Sequence, residues 1–252
     1  MNYCIEIATT DYITTEQAVK GGADRIELCT ALSEGGLTPS FGLIKQCREK
    51  FSLPIFPIVR PRGGDFLYGD AEFEIITKDV LLCKQLNCDG IVVGFLKRDG
   101  TIDRKKTELI VKLAYPMEVT FHRAFDRCKD PLASLEVIIE AGCQRILTSG
   151  QQLKAIDGLE LIKQLVIAAD NRIIIMPGSG IKPDNIRTIA EATGAVEFHG
   201  ALRNSIVSEM DFIHPVFAAS DYTNPWINAT ELKSMRKVLQ ETEVMNINTN
   251  ER

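Results

Sequence analysis

Residues 21–29 read Gly21-Gly22-Ala23-Asp24-Arg25-Ile26-Glu27-Leu28-Cys29, and in nine positions they end a helix, turn and begin a strand. Glycine closes a helix because it reaches the left-handed backbone region without a Cβ clash. Directly after it, Ile26 and Leu28 alternate with Arg25, Glu27 and Cys29, the period of two that marks a strand with two unlike faces. The junction returns at Asn87-Cys88-Asp89-Gly90 and at Ala141-Gly142-Cys143-Gln144, each time between a stretch of helical period and a short apolar run.

Working outward from these junctions, strands are predicted at 3–8, 24–29, 55–60, 90–94, 118–122, 145–149, 172–177 and 196–200. Helical segments at 14–20, 41–50, 73–86, 104–113, 132–140, 159–168 and 185–191 fill the seven gaps, and an eighth at 231–240 follows the last strand. Strict alternation builds a parallel sheet with crossover helices. Eight such units predict an α/β fold, a single (β/α)8 TIM barrel over 1–242 with a polar tail at 243–252. The competing arrangement is an open Rossmann-type sheet, which the missing GxGxxG after the first strand disfavours. The connection at 204–230 is long for a compact domain and predicts a lid, an oligomer contact, or a short extra helix on the barrel wall.

Composition narrows the function classes. A net charge of -5 with no basic stripe argues against nucleic acid as a partner. No apolar run reaches the roughly 18 residues of a membrane span, and the first residues lack the pattern of a secretory signal. Seven scattered cysteines without a CxxC read as reduced thiols of a cytoplasmic protein rather than a disulfide framework or zinc site.

Strand parity then selects the polar residues that face inward. Ile5 and Ile7 suit the helix-packed outside, which leaves Cys4, Glu6 and Ala8 inside; the second strand likewise turns Arg25, Glu27 and Cys29 inward. Arg60 ends the third strand, His122 the fifth, and Glu197 with His199 line the eighth. Barrel interiors are normally filled by branched apolar side chains, and a lone buried charge costs several kcal/mol. Glu6, Glu27, Arg60, His122 and His199 therefore read either as an ion-pair network closing the barrel or as a site at the C-terminal ends of the strands. In the loops, Arg60-Pro61-Arg62-Gly63-Gly64 and His122-Arg123-Ala124-Phe125-Asp126 add guanidinium groups for an anion, with Asp126 placed to orient Arg123. Gly178-Ser179-Gly180-Ile181 follows the seventh strand, where barrels often hold phosphate.

The segments Gly21–Cys29, Leu32–Ser40 (LSEGGLTPS), Arg60–Phe66 (RPRGGDF), Thr120–Asp126 (TFHRAFD), Leu147–Gly150 (LTSG) and Glu197–His199 (EFH) resemble the CutC family in sequence and order. That resemblance implies a cytosolic homo-oligomeric barrel with a role in copper homeostasis, carrying Cu(I) on cysteine sulfur near the barrel mouth. Soft thiolates select Cu(I). Cys29 matches one family cysteine, whereas a strand-one cysteine of some members falls on Ala8, and Cys4 lies about 13 Å lower at 3.3 Å per residue. Cys29 thus reads as a Cu(I) ligand or as a small buried core thiol.

Two functions follow. One is copper binding for copper homeostasis. The other is an enzyme acting on a small anionic or phosphorylated carbonyl or sugar compound. There Arg60, Arg62, Arg123, Ser179 and Gly180 bind the anion, His122 or His199 acts as general acid or base, and Glu6 or Glu27 is the partner carboxylate.

Overall fold

A computed structural model describes residues 3–250, with side chains described through Thr242. Eight strands, β1 (Cys4–Thr9), β2 (Arg25–Leu28), β3 (Ile55–Pro57), β4 (Gly90–Val93), β5 (Glu118–Phe121), β6 (Arg145–Thr148), β7 (Ile174–Pro177) and β8 (Glu197–Gly200), alternate with helices. The helices are α1 (Tyr12–Gly21), α2 (Phe41–Lys50), α3 (Asp70–Gln85), α4 (Arg104–Ala114), α5 (Pro131–Glu140), α6 (Leu159–Ala169), α7 (Ile186–Thr193) and α8 (Ala229–Asn250). Pairing is parallel throughout these eight strands, in two four-stranded arcs, β3-β2-β1-β8 and β4-β5-β6-β7. Single parallel bridges, Ile58 with Val92 and Gly178 with His199, join the arcs at both seams and close the barrel.

The division of faces follows the alternation in the sequence. Ile5, Ile7, Ile26, Leu28, Val119, Phe121 and Ile146 are fully buried in the large core shared with the helices. Inside the barrel a small apolar cluster holds Cys29, Phe56, Ile58 and Val92. Gly22 and Gly142 end their helical segments in the left-handed region (φ 87° and 89°), as the junction reading requires. At the third junction the left-handed residue is Asn87 (φ 55°), and Gly90 has another duty. A Cβ there would lie 2.4 Å from the Phe56 ring, so only glycine lets the interior aromatic fit.

Two expectations change. The 204–230 connection holds no short helix packed on the wall. Instead Arg203–Val207 (β9) pairs antiparallel with Thr223–Ile227 (β10), with a 3-10 turn at Ala219–Tyr222 leading into β10. Every residue of β9 is exposed, whereas β10 ends on the half-buried Trp226 and the buried Ile227, which joins the main core and ties the hairpin to the barrel. Helix α8 also runs to Asn250, past the expected boundary, because nothing between 241 and 250 is glycine or proline. The expected tail is thus helical as far as 250, and 251–252 lie outside the described residues.

Candidate functional site

The barrel interior carries polar residues in two layers. The lower layer is built from strand beginnings: Arg25 opens β2, Glu118 β5, Arg145 β6 and Glu197 β8. Arg25 donates through Nε to Glu6 Oε2 at 2.5 Å and through Nη2 to Glu197 Oε2 at 2.6 Å. Arg145 donates to the same Glu197 oxygen at 2.8 Å and to Glu118 Oε2 at 2.5 Å. Both guanidinium groups lie against the Phe56 ring, 5.2 and 5.4 Å from its centroid. Each buried charge here has an opposite partner, the condition under which burial of ions is tolerated.

Glu6 links this layer to the one above. Its second oxygen meets His199 Nδ1 at 2.8 Å. Burial alone would raise the Glu6 carboxyl, but Arg25 and His199 hold it down at about 2, so it is ionised and Nδ1 donates. The other ring nitrogen, Nε2, lies 3.9 Å from Glu27 Oε1. Glu27 has no cation of its own: burial first, and then Glu6, push its carboxyl up to about 7. Burial also works against charge on His199, yet Glu27 and Glu6 outweigh it and raise the ring above its ordinary value. Glu27 and His199 are therefore two adjacent titratable groups, both of which hold their protons more tightly than usual.

Across the barrel, His122 is set differently. Its Nδ1 accepts the Ala124 N–H at 3.2 Å, which leaves the proton on Nε2. Burial, and then the charge of Arg60, lower its pKa to about 3. The ring fits because residue 94 is glycine; a Cβ there would lie 2.4 Å from Nδ1. Arg60 is also buried, yet it meets no carboxylate. It donates to the carbonyls of Glu34, Gly36 and Gly64 at 2.7, 3.1 and 3.0 Å and stacks over Phe66. This guanidinium ties the LSEGGLTPS loop to the RPRGGDF loop, so the two segments act as one wall.

Glu27, Arg60, His122 and His199 all line one cavity of about 560 Å³ at the C-terminal ends of the strands. Arg123, Ser179 and Gly180 line it too. Asp126 holds Arg123 at 2.7 Å, as its position suggested, and is itself fixed by Thr148 and Ser149. Ser179 and Gly180 both have left-handed backbones (φ 80° and 76°), and the Ser179 hydroxyl donates to Leu153 O at 2.8 Å. Arg127, Lys182 and Arg203 were not anticipated; they lie outside the eight barrel strands, Arg203 at the start of β9, where the barrel's strand parity carries no signal. Five cationic side chains against two carboxylates make this wall a seat for an anion.

Two expected residues fall elsewhere. Arg62 does not line the cavity: it turns outward to Glu72 (2.5 Å), Asp65 and the Leu67 carbonyl, anchoring its loop to α3. Glu6 lies below the cavity and acts through His199.

The Cu(I) reading of Cys29 meets a poor fit. Its thiol is fully buried among Phe56, Ile58 and Val92 and donates to Thr9 O at 3.4 Å. Burial, and then Glu27, push it well above the ordinary thiol range, whereas a soft metal needs the thiolate. The β1–β2 register sets Ala8 beside Glu27 and Thr9 beside Leu28, so the neighbouring strand puts no second sulfur beside Cys29, and its one cysteine, Cys4, sits at the strand's far end. Among the described residues, the one group of three or more His, Cys, Asp or Glu side chains close enough to share an ion is Glu6, Glu27 and His199, within 4.8 Å of one another. Both Glu6 oxygens are already engaged, which leaves Glu27 and His199 Nε2 for a hard or borderline cation.

Comparison with known proteins agrees with this barrel. A protein from Parabacteroides distasonis named as a family protein CutC is 48% identical over 213 residues, 84% of this chain and 88% of the relative. The human copper homeostasis protein cutC homolog is 40% identical over 242 residues, 94% of this chain and 89% of the relative. The crystal structure of a CutC protein from Streptococcus agalactiae superposes with a TM-score of 0.75 at 32% identity, covering 79% of this chain and 98% of that one. The family model spans residues 3–204, a stretch that takes in both polar layers and the whole barrel sheet, and this chain belongs to the CutC family.

Proposed function

We propose that this chain serves copper homeostasis, the role for which its human relative is named, as a cytoplasmic barrel that binds a small anionic carbonyl or sugar compound and moves a proton on it. One observation carries the reading. Among the described residues, Glu27 Oε2, Arg60 Nε and His122 Nε2 are buried without a hydrogen-bond partner, and all three side chains line the same cavity. A buried polar atom left unpaired costs about 1–3 kcal/mol, more when charged. Three around one cavity are what a bound ligand with an acceptor on one side and a donor on the other would satisfy. Copper itself is not assigned to Cys29, whose sulfur has neither the ionisation nor a second soft ligand.

Homo-oligomerisation belongs to the same proposal. The hairpin and the loop between its strands expose Val207, Phe212, Val216 and Phe217, more apolar surface than a solvated excursion needs. Among the described residues no helix is long and apolar enough to cross a membrane.

Sulfate or phosphate soaked into crystals tests the reading. The expected result is an anion held by Arg60 or by the Ser179–Gly180 segment. A mouth free of anion at saturating sulfate, with Cu(I) bound one-to-one and lost in Cys29→Ala, would overturn it in favour of a thiolate copper protein.

A further inference from the structure

Resting on the anion-binding reading above, we infer that the mouth removes a proton from a carbon next to a carbonyl group, with Glu27 as the base and the His122 Nε2–H as the donor that holds the enolate oxygen. The substrate class is then a small anionic aldehyde, ketone or keto acid.

The geometry separates the two roles. His122 cannot be the base, because Nδ1 is occupied by the Ala124 N–H and Nε2 bears the proton. It is a fixed donor, locked by the Gly94 backbone behind it and the Phe66 ring, whose centroid is 4.9 Å from its own. Arg60 Nε–H adds a second unpartnered donor on β3's side of the cavity. Its Nη1 donates to the carbonyls of Glu34 and Gly36 and its Nη2 to that of Gly64, so the rest of the guanidinium serves the loops. The base must be a separate carboxylate, and Glu27, on β2 next to β3, lines the same cavity with Oε2 unpaired. Its Oε1 faces His199 Nε2, and His199 is backed by Glu6, so the base has a neighbour to receive or return a proton.

The step balances without any co-reactant. Glu27 Oε2 takes the α-proton; the C–H electron pair becomes the C=C bond of the enolate. The carbonyl π pair moves to oxygen, where the His122 Nε2–H and Arg60 Nε–H stabilise the negative charge. An imidazole that donates while neutral is suited to this, because its N–H is closer in acidity to the enol than an imidazolium would be. Burial and Arg60 keep His122 in that form, which supports the assignment already made from its hydrogen bond. Return of the proton from Glu27 to the same carbon completes an exchange; where the substrate carries an α-hydroxyl that gives its proton to the enolate oxygen and becomes the new carbonyl, return to the former carbonyl carbon completes an isomerisation.

Two dianions of equal charge and different shape make the test. Oxalate is planar and carries adjacent oxygens like an enediolate, and sulfate is tetrahedral. Binding to the full-length protein is measured by calorimetry, alongside nitrogen NMR of the histidine rings. The expected result is oxalate bound about tenfold or more tightly than sulfate, from one added charge-assisted hydrogen bond. His122 should be neutral with its proton on Nε2 at pH 6–8, and that proton should shift downfield on oxalate addition. His122→Phe should bring oxalate down to the level of sulfate; the NMR of the native protein decides the matter even if this variant folds poorly. Sulfate bound as tightly as oxalate, or a His122 ring protonated on Nδ1, would overturn the enolate assignment while leaving anion binding intact. Failure of both anions to bind would overturn the anion-binding reading, and this inference with it.

Discussion

The barrel buries two polar layers within a few residues of each other, and only one of them is closed. In the lower layer Arg25 and Arg145 face Glu6, Glu197 and Glu118 with short direct contacts. In the upper layer Arg60 meets only carbonyls, Glu27 only a histidine at 3.9 Å, and His122 a single backbone N–H. Both layers use the same residue types on the same inward faces. Buried charge alone is therefore not the mark of a site here. Charge that the protein leaves unanswered is.

The largest effect should come from breaking the closed layer. Arg25→Met leaves Glu6 and Glu197 buried without their shared guanidinium, a change that typically costs about 3–5 kcal/mol. For a chain of this length the melting temperature should fall by roughly 10 °C. If thermal or urea denaturation shows Arg25→Met within about a degree of the native protein, the lower layer is not the structural clamp described.

The open layer should respond in the opposite sense. Burial raises the Glu27 carboxyl to about 7, above its unfolded value near 4.5. Between those pH values the folded chain holds a proton that the unfolded chain has released. Glu27's contribution is thus complete at low pH and lost as pH rises through 7. Glu27→Gln removes the deficit and should stabilise the protein at pH 8 by about 3 kcal/mol, with no gain near pH 4. It should also abolish turnover of any carbonyl substrate. A destabilised variant at pH 8, or a gain equal at both pH values, would contradict an uncompensated carboxylate at this position.

Much of this contrast could be read from sequence, and the part that could not has a definite cause. Alternation within each strand put Glu27, Arg60, His122 and His199 on inner faces, because the period of two fixes a side chain's face wherever the strand sits. Pairing, however, depends on depth along the barrel axis and on register between strands. Cys4 aligns with Glu197 and Glu6 with His199 across β1 and β8, while Glu6 aligns with Arg25 across β1 and β2. No pattern within one strand contains that information, so Glu6 and Glu27 look equivalent in sequence and differ in the fold. Loops hide more. Arg62 and Arg127 both lie between barrel strands and helices, outside the reach of strand parity, yet one turns to α3 and the other to the cavity. The β9–β10 hairpin was hidden in the same way, since both of its strands fall in a stretch read only as a long connection.

The smallest effect comes from comparing two arginines that the sequence offered together as anion ligands. Arg60 and Arg62 are two residues apart in one loop, and lysine can replace either charge but not the guanidinium fork. At Arg60 the fork holds three carbonyls from two loops, so Arg60→Lys should loosen that wall and weaken sulfate binding about tenfold. At Arg62 the contacts are to Glu72, Asp65 and Leu67 on the outer side, half open to water, where an ion pair contributes little. Arg62→Lys should therefore leave sulfate affinity within about twofold of the native value. Calorimetric titration of the two variants side by side decides it. Equal losses would mean that the whole loop, rather than the buried guanidinium alone, receives the anion, and the line drawn between open and closed charge would have to move outward to include Arg62.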